Sequence, residues 1–367
     1  MVTLCLFKYR IMKIRRIILT FGVLATAWFY VGACTSMIVG SKASKNGRPL
    51  LWKNRDTGTL QNFVERIPAK DGTFGYVALF NAGDSALNEA WIGMNDQGFA
   101  IMNTASYNLA PDTAKFKDRE GFVMSRALQV CRTVDDFRQL LDTLPKPLGV
   151  QANFGVIDAE GNGAYFECDD YRYTPFYLKD TDDDVLIRTN YSFTGNDSDG
   201  MGYIRFNNAQ HLTAEAVRTH SITPELLTEV CSKSFYHSLL GRDFESDTSY
   251  TYAVDQDFIP RHITSASVVI EGVNLGSDPA DCIMWTVIGY PPVSHVRAVT
   301  VDSVPEDLRP TEKGFRSKAC IETFKDKSKA FDIKRGSGKR YVDLRYLRSK
   351  MAAERKLSQK EYRRYGH

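Results

Sequence analysis

Residues 17–33 are almost wholly apolar and end at Cys34, in the run Val31-Gly32-Ala33-Cys34-Thr35-Ser36. Lys8, Arg10, Lys13, Arg15 and Arg16 precede the run, with no acidic residue among them. A basic start, an apolar stretch and the small residues of Val31-x-Ala33 make a secretory signal, and residues 1–33 are set apart from the fold on that ground. Met12-Lys13-Ile14-Arg15-Arg16 is a compact basic start in its own right. Cleavage before Cys34 places a thiol and a free α-amine on one residue. The amine titrates at roughly 7.7–8.0 and a free thiol at about 8.5, so the two make a self-contained nucleophile and base for covalent acyl transfer.

Two other fates of Cys34 stay open at this point. The apolar run can remain as a membrane anchor, although about 17 residues is the short limit for a span. Val31-Gly32-Ala33-Cys34 also resembles the bacterial lipoprotein motif. There lipid is added to the thiol and the amine is acylated, so Cys34 would be an anchor and not a nucleophile.

Removing residues 1–33 takes the formal charge from +3 to −2. Residues 311–367 hold 18 basic and seven acidic residues, which leaves 34–310 at −13. An acidic body lacks the basic footprint that nucleic-acid binding needs. The cysteines show no CxxC pairing or regular spacing, so neither a zinc site nor a disulfide framework is suggested. Cys131 and Cys231 lie in apolar patterns and read as core residues.

Residues 34–41 read as a strand, Asn46-Gly47 as a tight turn, and Pro49 to Asp56 as the returning strand. This hairpin carries Lys53, Arg55 and Asp56 back toward Cys34. Alternation along a strand puts Lys53 and Arg55 on one face and Asp56 on the other. Strands or hairpins follow at 74–81, 90–103, 153–167, 185–190, 265–272 and 282–289. Helical periodicity covers 119–144, 203–219 and 223–240, with Pro145 and Pro147 closing the first. Hairpins interspersed with helices predict antiparallel sheets with helices outside. The body spans 34–310. The basic extension 311–367 holds a helix near 343–355 and reads either as a solvated tail or as a basic helix against a membrane or the acidic body.

Cys34-Thr-Ser-Met-Ile-Val, Asn46-Gly-Arg-Pro-Leu-Leu-Trp52 and Lys53-Asn54-Arg55-Asp56 resemble the opening of the N-terminal-nucleophile linear-amide hydrolases. The resemblance continues through Ala100-Ile-Met-Asn103-Thr-Ala-Ser-Tyr107, Ala152 to Asp158, Arg188-Thr-Asn190, Gly200 to Arg205, Asp257 to Arg261 and Met284 to Pro292. It spans about 34–300 and leans toward the penicillin acyltransferase and carcinine hydrolase branch, with penicillin V acylase and choloylglycine hydrolase as relatives.

That resemblance implies an α+β fold of four αββα layers. It implies Cys34 as nucleophile with its own amine as proton shuttle, and Asp56 as the carboxylate that orients it. Asn103 and Asn190 match the amides beside the acyl carbonyl, where a donor aimed at the developing oxyanion is needed. Lys53 and Arg55 are the candidate substrate-binding cations; either also favours a thiolate. No counterpart of a late family arginine is evident at Thr264 to Val268. No cofactor or metal is implied, and none of the six histidines shows metal-ligand spacing. The expected activity is an exported amidase or acyltransferase, periplasmic or at a bacterial cell surface, acting on a small linear amide. A dipeptidase of the neighbouring branch and an inactive lipoprotein anchored through Cys34 are the alternatives.

Overall fold

The computed structural model describes residues 32–110, 115, 117–311, 316–332 and 340–367. The signal segment up to Val31, and with it the predicted export pattern, lies outside the described residues. Residues from Gly32 onward form one compact unit.

The predicted opening hairpin is present. Strand β1 (Thr35–Val39) pairs antiparallel with β2 (Leu50–Asp56), with Thr35 opposite Asn54 and Ser36 opposite Lys53. The connection is not the tight turn that Asn46-Gly47 predicts: residues 40–49 lie between the paired Val39 and Leu50, and Gly47, with a left-handed φ of 77°, closes a local turn onto the Ser44 carbonyl within it. Seven strands in chain order build one antiparallel sheet: β3 (Asn62–Ile67), β4 (Tyr76–Asn81), β5 (Ile92–Asn95), β6 (Ala100–Ala105), β7 (Ala152–Ile157), β8 (Gly163–Cys168) and β9 (Tyr173–Tyr177). A second sheet of six strands has the order β10-β1-β2-β11-β12-β13. Here β10 is Val185–Arg188, β11 Thr264–Glu271, β12 Ile283–Ile288 and β13 Arg297–Val299.

Alternation along the strands sorts their side chains into separate cores. Ile38 and Leu51 pack with Val64, Val77, Leu79 and Met102 between the two sheets. Met37, Val39, Leu50 and Trp52 face outward onto the helical layer containing α3 (Tyr203–Arg218) and Tyr362. The far face of the seven-stranded sheet is covered by α1 (Glu120–Val130) and α2 (Val134–Thr143). The order of layers is therefore helix, sheet, sheet, helix, as expected for the fold class.

Three further local expectations change. The helix read over 119–144 is two, because Thr133 starts a new one: its hydroxyl accepts from Asp136 N–H at 3.1 Å and Asp136 accepts from Thr133 N–H at 3.0 Å. That reciprocal cap outweighs continuation of the apolar period. The helix read over 223–240 is only a short irregular helical stretch, Leu226–Val230 and Cys231–Lys233, followed by a small ribbon of Tyr236–His237 with Arg242–Asp243. The extension is not a solvated tail. Helix α4 (Lys318–Ala330) buries Cys320, whose thiol accepts from Asn62 N–H at 3.3 Å. Helix α5 (Leu344–Arg364) buries Leu344, Leu347, Met351, Ser358 and Tyr362 against the body. Its apolar period supplies the packing, and two half-buried arginines tie it to the body: Arg348 donates to the Phe244, Glu245, Asp247 and Tyr250 carbonyls, and Arg355 pairs with Glu245 at 3.0 Å.

Candidate active site at the start of the first strand

Cys34 precedes β1 at the end of the six-stranded sheet and is buried. Its thiol donates to the Asp56 carbonyl at 3.8 Å. Continuing the register, Cys34 lies opposite Arg55, and its side chain shares the inter-sheet face with Ser36, Lys53 and Arg55. Ser36 Oγ meets Tyr165 Oη of the other sheet at 2.8 Å, which fixes that face as interior.

Two cations stand on this face. Lys53 Nζ donates to the Trp91 carbonyl at 2.8 Å and to Asn103 Oδ1 at 2.7 Å. Arg55 donates to Asn62 Oδ1 at 2.7 Å, to Asn81 Oδ1 at 2.7 Å and to Ser265 Oγ at 3.1 Å, and lies over the Trp91 ring at 4.8 Å. All these acceptors are neutral. Burial pulls the Lys53 ammonium down to about 7 and the Arg55 guanidinium to about 10, with the nearby Cys34 opposing each shift. Arg55 thus keeps a positive charge on this face, joined by Lys53 below pH about 7, and neither has a bonded carboxylate, an environment that favours an anion at sulfur.

Asp56 points the other way, as the alternation predicts. Its carboxylate accepts from Arg261 at 2.7 and 3.0 Å, from Thr264 Oγ1 at 2.5 Å and from Asn54 Nδ2 at 3.3 Å. The register slips between Thr264 and Ala266 opposite this point. The resulting bulge leaves Ser265 to turn toward Arg55, a local re-aiming common beside sites. Asp56 reaches Cys34 through its main-chain carbonyl and through Arg261, which also donates to the Ala33 carbonyl at 3.1 Å.

Both predicted asparagines are held by cations. Asn103 gives its oxygen to Lys53. Asn190 gives its oxygen to Arg205 at 2.8 Å, and its nitrogen donates to the Ala105 carbonyl at 2.8 Å and the Gly32 carbonyl at 3.4 Å. A cation can only donate, so each amide is turned with its N–H end away from its cation. In addition, Tyr107 Oη donates to the same Gly32 carbonyl. Arg205 further donates to the Cys34 carbonyl at 2.5 Å and Thr35 Oγ1 at 3.0 Å. Burial and repulsion from Arg261 lower its guanidinium to about 10.

The structure therefore brings Cys34, Lys53, Arg55, Asp56, Asn103 and Asn190 together, and adds Arg205, Arg261, Thr264 and Tyr107. Gly202 makes room for Arg205: with φ at 94°, a Cβ there would lie 2.4 Å from Arg205 Nη2 and 2.8 Å from Thr189 Oγ1.

No protein-family model matches the chain, and no curated protein matches it in sequence. Solved structures do match it at low identity. A mutant of conjugated bile acid hydrolase from Clostridium perfringens is 11% identical, with a TM-score of 0.46 over 74% of this chain and 93% of that one. The N-acylethanolamine-hydrolyzing acid amidase ortholog of Caenorhabditis elegans is 14% identical, with a TM-score of 0.42 over 67% and 95%. Penicillin V acylase from Agrobacterium tumefaciens is 12% identical, with a TM-score of 0.38 over 74% and 87%. The likeness is one of coarse architecture.

Proposed function

We propose that this chain is exported, loses residues 1–33, and acts as an N-terminal-cysteine amidase or acyltransferase on a small linear amide. The observation that carries this reading is the placing of the Cys34 thiol on one face with two buried cations whose bonded partners are neutral. Two amides oriented by Lys53 and Arg205 stand beside it.

In the proposed reaction the Cys34 thiol gives its proton to its own α-amine and sulfur attacks the amide carbonyl. The carbon–nitrogen bond then breaks, the amine passes the proton to the leaving nitrogen, and a thioester remains on Cys34. Water, or an acceptor amine, attacks that thioester in the second half and restores the thiol. Lys53 and Arg55 stabilise the sulfur anion. Asn190 and Asn103 offer N–H groups to the developing oxyanion, and Asp56 with Arg261 fixes the start of the chain.

The test is turnover of a panel of p-nitroanilides by chain beginning at Cys34, with a mass spectrum of the quenched enzyme. Wild-type protein should release nitroaniline and carry the acyl mass on Cys34. Cys34→Ser should lose nearly all turnover while keeping its circular dichroism and unfolding midpoint. Unchanged turnover in that variant removes Cys34 as nucleophile.

A further inference from the structure

In the uncut chain a carbonyl already occupies the place toward which Asn190 aims its N–H: that of Gly32, which also receives the Tyr107 hydroxyl. Gly32 and Ala33 lie on the acyl side of the Ala33–Cys34 bond, so the Gly32 carbonyl stands in for a polar oxygen of a bound acyl group. Removal of residues 1–33 vacates that position and leaves both donors facing it. Burial, reinforced by Cys34, pushes the Tyr107 phenol well above its ordinary value, so it remains a donor.

Tyr107 also lines a cleft of about 840 Å³. The walls of that cleft are polar, with Gln151, Asp169, Arg172, Thr174 and Thr194 among them. Its back is rigid: buried Glu167 pairs with Arg188 at 2.8 Å and accepts from Phe193 and Thr194 N–H at 2.9 and 2.8 Å. Clefts with more apolar walls are also present among the described residues. One of about 400 Å³ lies along Val185, Ile187, Phe206 and Val217; another of about 530 Å³ lies at Leu239, Leu240 and Phe244. Neither is lined by Tyr107, which is the residue that joins the polar cleft to the Gly32 carbonyl.

We propose that the cleft behind Tyr107 receives the acyl group of the substrate and that this group is polar, carrying a hydrogen-bonding function beyond the scissile carbonyl. This rests on the amidase reading. A site built to hydrogen-bond a substrate group discriminates strongly against an analogue lacking it, because its buried donors are left unpaired. The acyl group would enter with its scissile carbonyl oxygen against Tyr107 Oη and Asn190 Nδ2, and its polar end would point into the cleft toward the wall that carries Thr174 and Arg172, both exposed there.

The experiment compares N-acetylglycyl, pentanoyl and acetyl p-nitroanilides with chain starting at Cys34. The first two acyl groups have equal length and differ by one internal amide. N-acetylglycyl should exceed pentanoyl in kcat/KM by at least about tenfold. Arg172→Leu with Thr174→Val should largely abolish that preference by lowering N-acetylglycyl turnover relative to pentanoyl. A pentanoyl preference, or a preference untouched by the double variant, overturns the proposal and moves the acyl group to one of the apolar clefts. If no anilide turns over, the amidase reading fails, and binding decides the cleft separately. N-acetylglycinamide titrated into the Cys34→Ser chain should bind, and the double variant should weaken it by about tenfold or more. No binding, or binding indifferent to the double variant, overturns the cleft assignment.

Discussion

At the scale of single residues, Arg205 is the side chain that sequence reasoning missed and the site depends on. It lies in the first turn of α3, where the helix dipole disfavours a cation. A basic residue there, after Gly200-Met-Gly202, is the signal that could have singled it out. Its fork holds the Asn190 oxygen with one nitrogen and the Cys34 carbonyl with the other. A lysine has its donors on one nitrogen, without the planar fork that spans these two acceptors. Arg205→Lys should therefore lower kcat by about tenfold or more with less change in KM, while Asn190→Ala should cost about 100–1000-fold in kcat. Equal kcat in Arg205→Lys and wild type, from initial rates at saturating anilide, contradicts the orienting role. Asp56, Asn103 and Asn190 were singled out because they lie in stretches that resemble the linear-amide hydrolases, and the structure places all three around Cys34 and its neighbouring cations. Arg261 was not, because it lies in a loop, and only the sheet's bulge at Ser265 brings it onto Asp56.

At the scale of elements, the two strands of the opening hairpin were legible but their connection was not: residues 40–49 separate Val39 from its partner Leu50, where Asn46-Gly47 predicts a tight turn. Alternation along each strand, not the turn, is what fixed the faces. That one element placed Lys53 and Arg55 on Cys34's side and Asp56 opposite. The seven-stranded sheet was only partly legible. Strands β3 and β9 were missed: β3 buries Phe63 and Val64 yet exposes the residues around Arg66, and β9 carries Pro175 on a half-exposed sheet edge. Helix α5 reads as polar by composition, but its apolar residues recur at helical spacing and bury Leu347, Met351 and Tyr362. Tyr362 Oη bonds Thr228 Oγ1 at 2.6 Å, and its ring packs on Trp285 at 4.6 Å. Tyr362→Ala should cost about 3–5 kcal/mol of unfolding free energy, as for other buried aromatic truncations. Chemical denaturation measures this, and a loss under about 1 kcal/mol would mean that the extension is not part of the folded unit.

At the scale of the whole molecule, the proposed site gathers charges in a dry interior, with neutral partners for Lys53 and Arg55, Asp56 paired with Arg261, and Asp255 behind that pair. Asp255 accepts from His262 N–H at 2.8 Å and leaves its other oxygen buried without a partner. Burial, opposed by Arg261, raises its carboxyl from 3.8 to about 7. The folded chain then binds a proton that the unfolded chain releases between pH 3.8 and about 7. The stability contributed by that proton is complete below pH 3.8 and is lost as pH rises through about 7. Asp255→Asn keeps the acceptor and removes the titration, so the variant should gain stability relative to wild type as pH rises from 4 to 8, read from unfolding midpoints. A parallel pH course in both proteins would place the ionisation elsewhere. The account as a whole turns on the chain beginning at Cys34 with thiol and amine both free. The direct measurement is intact mass and N-terminal sequencing of the exported protein, with and without a thiol-alkylating label. An unmodified chain starting at Cys34 and labelled there is the predicted result. A lipidated and N-acylated Cys34, or a mature chain that retains residues before it, contradicts the account.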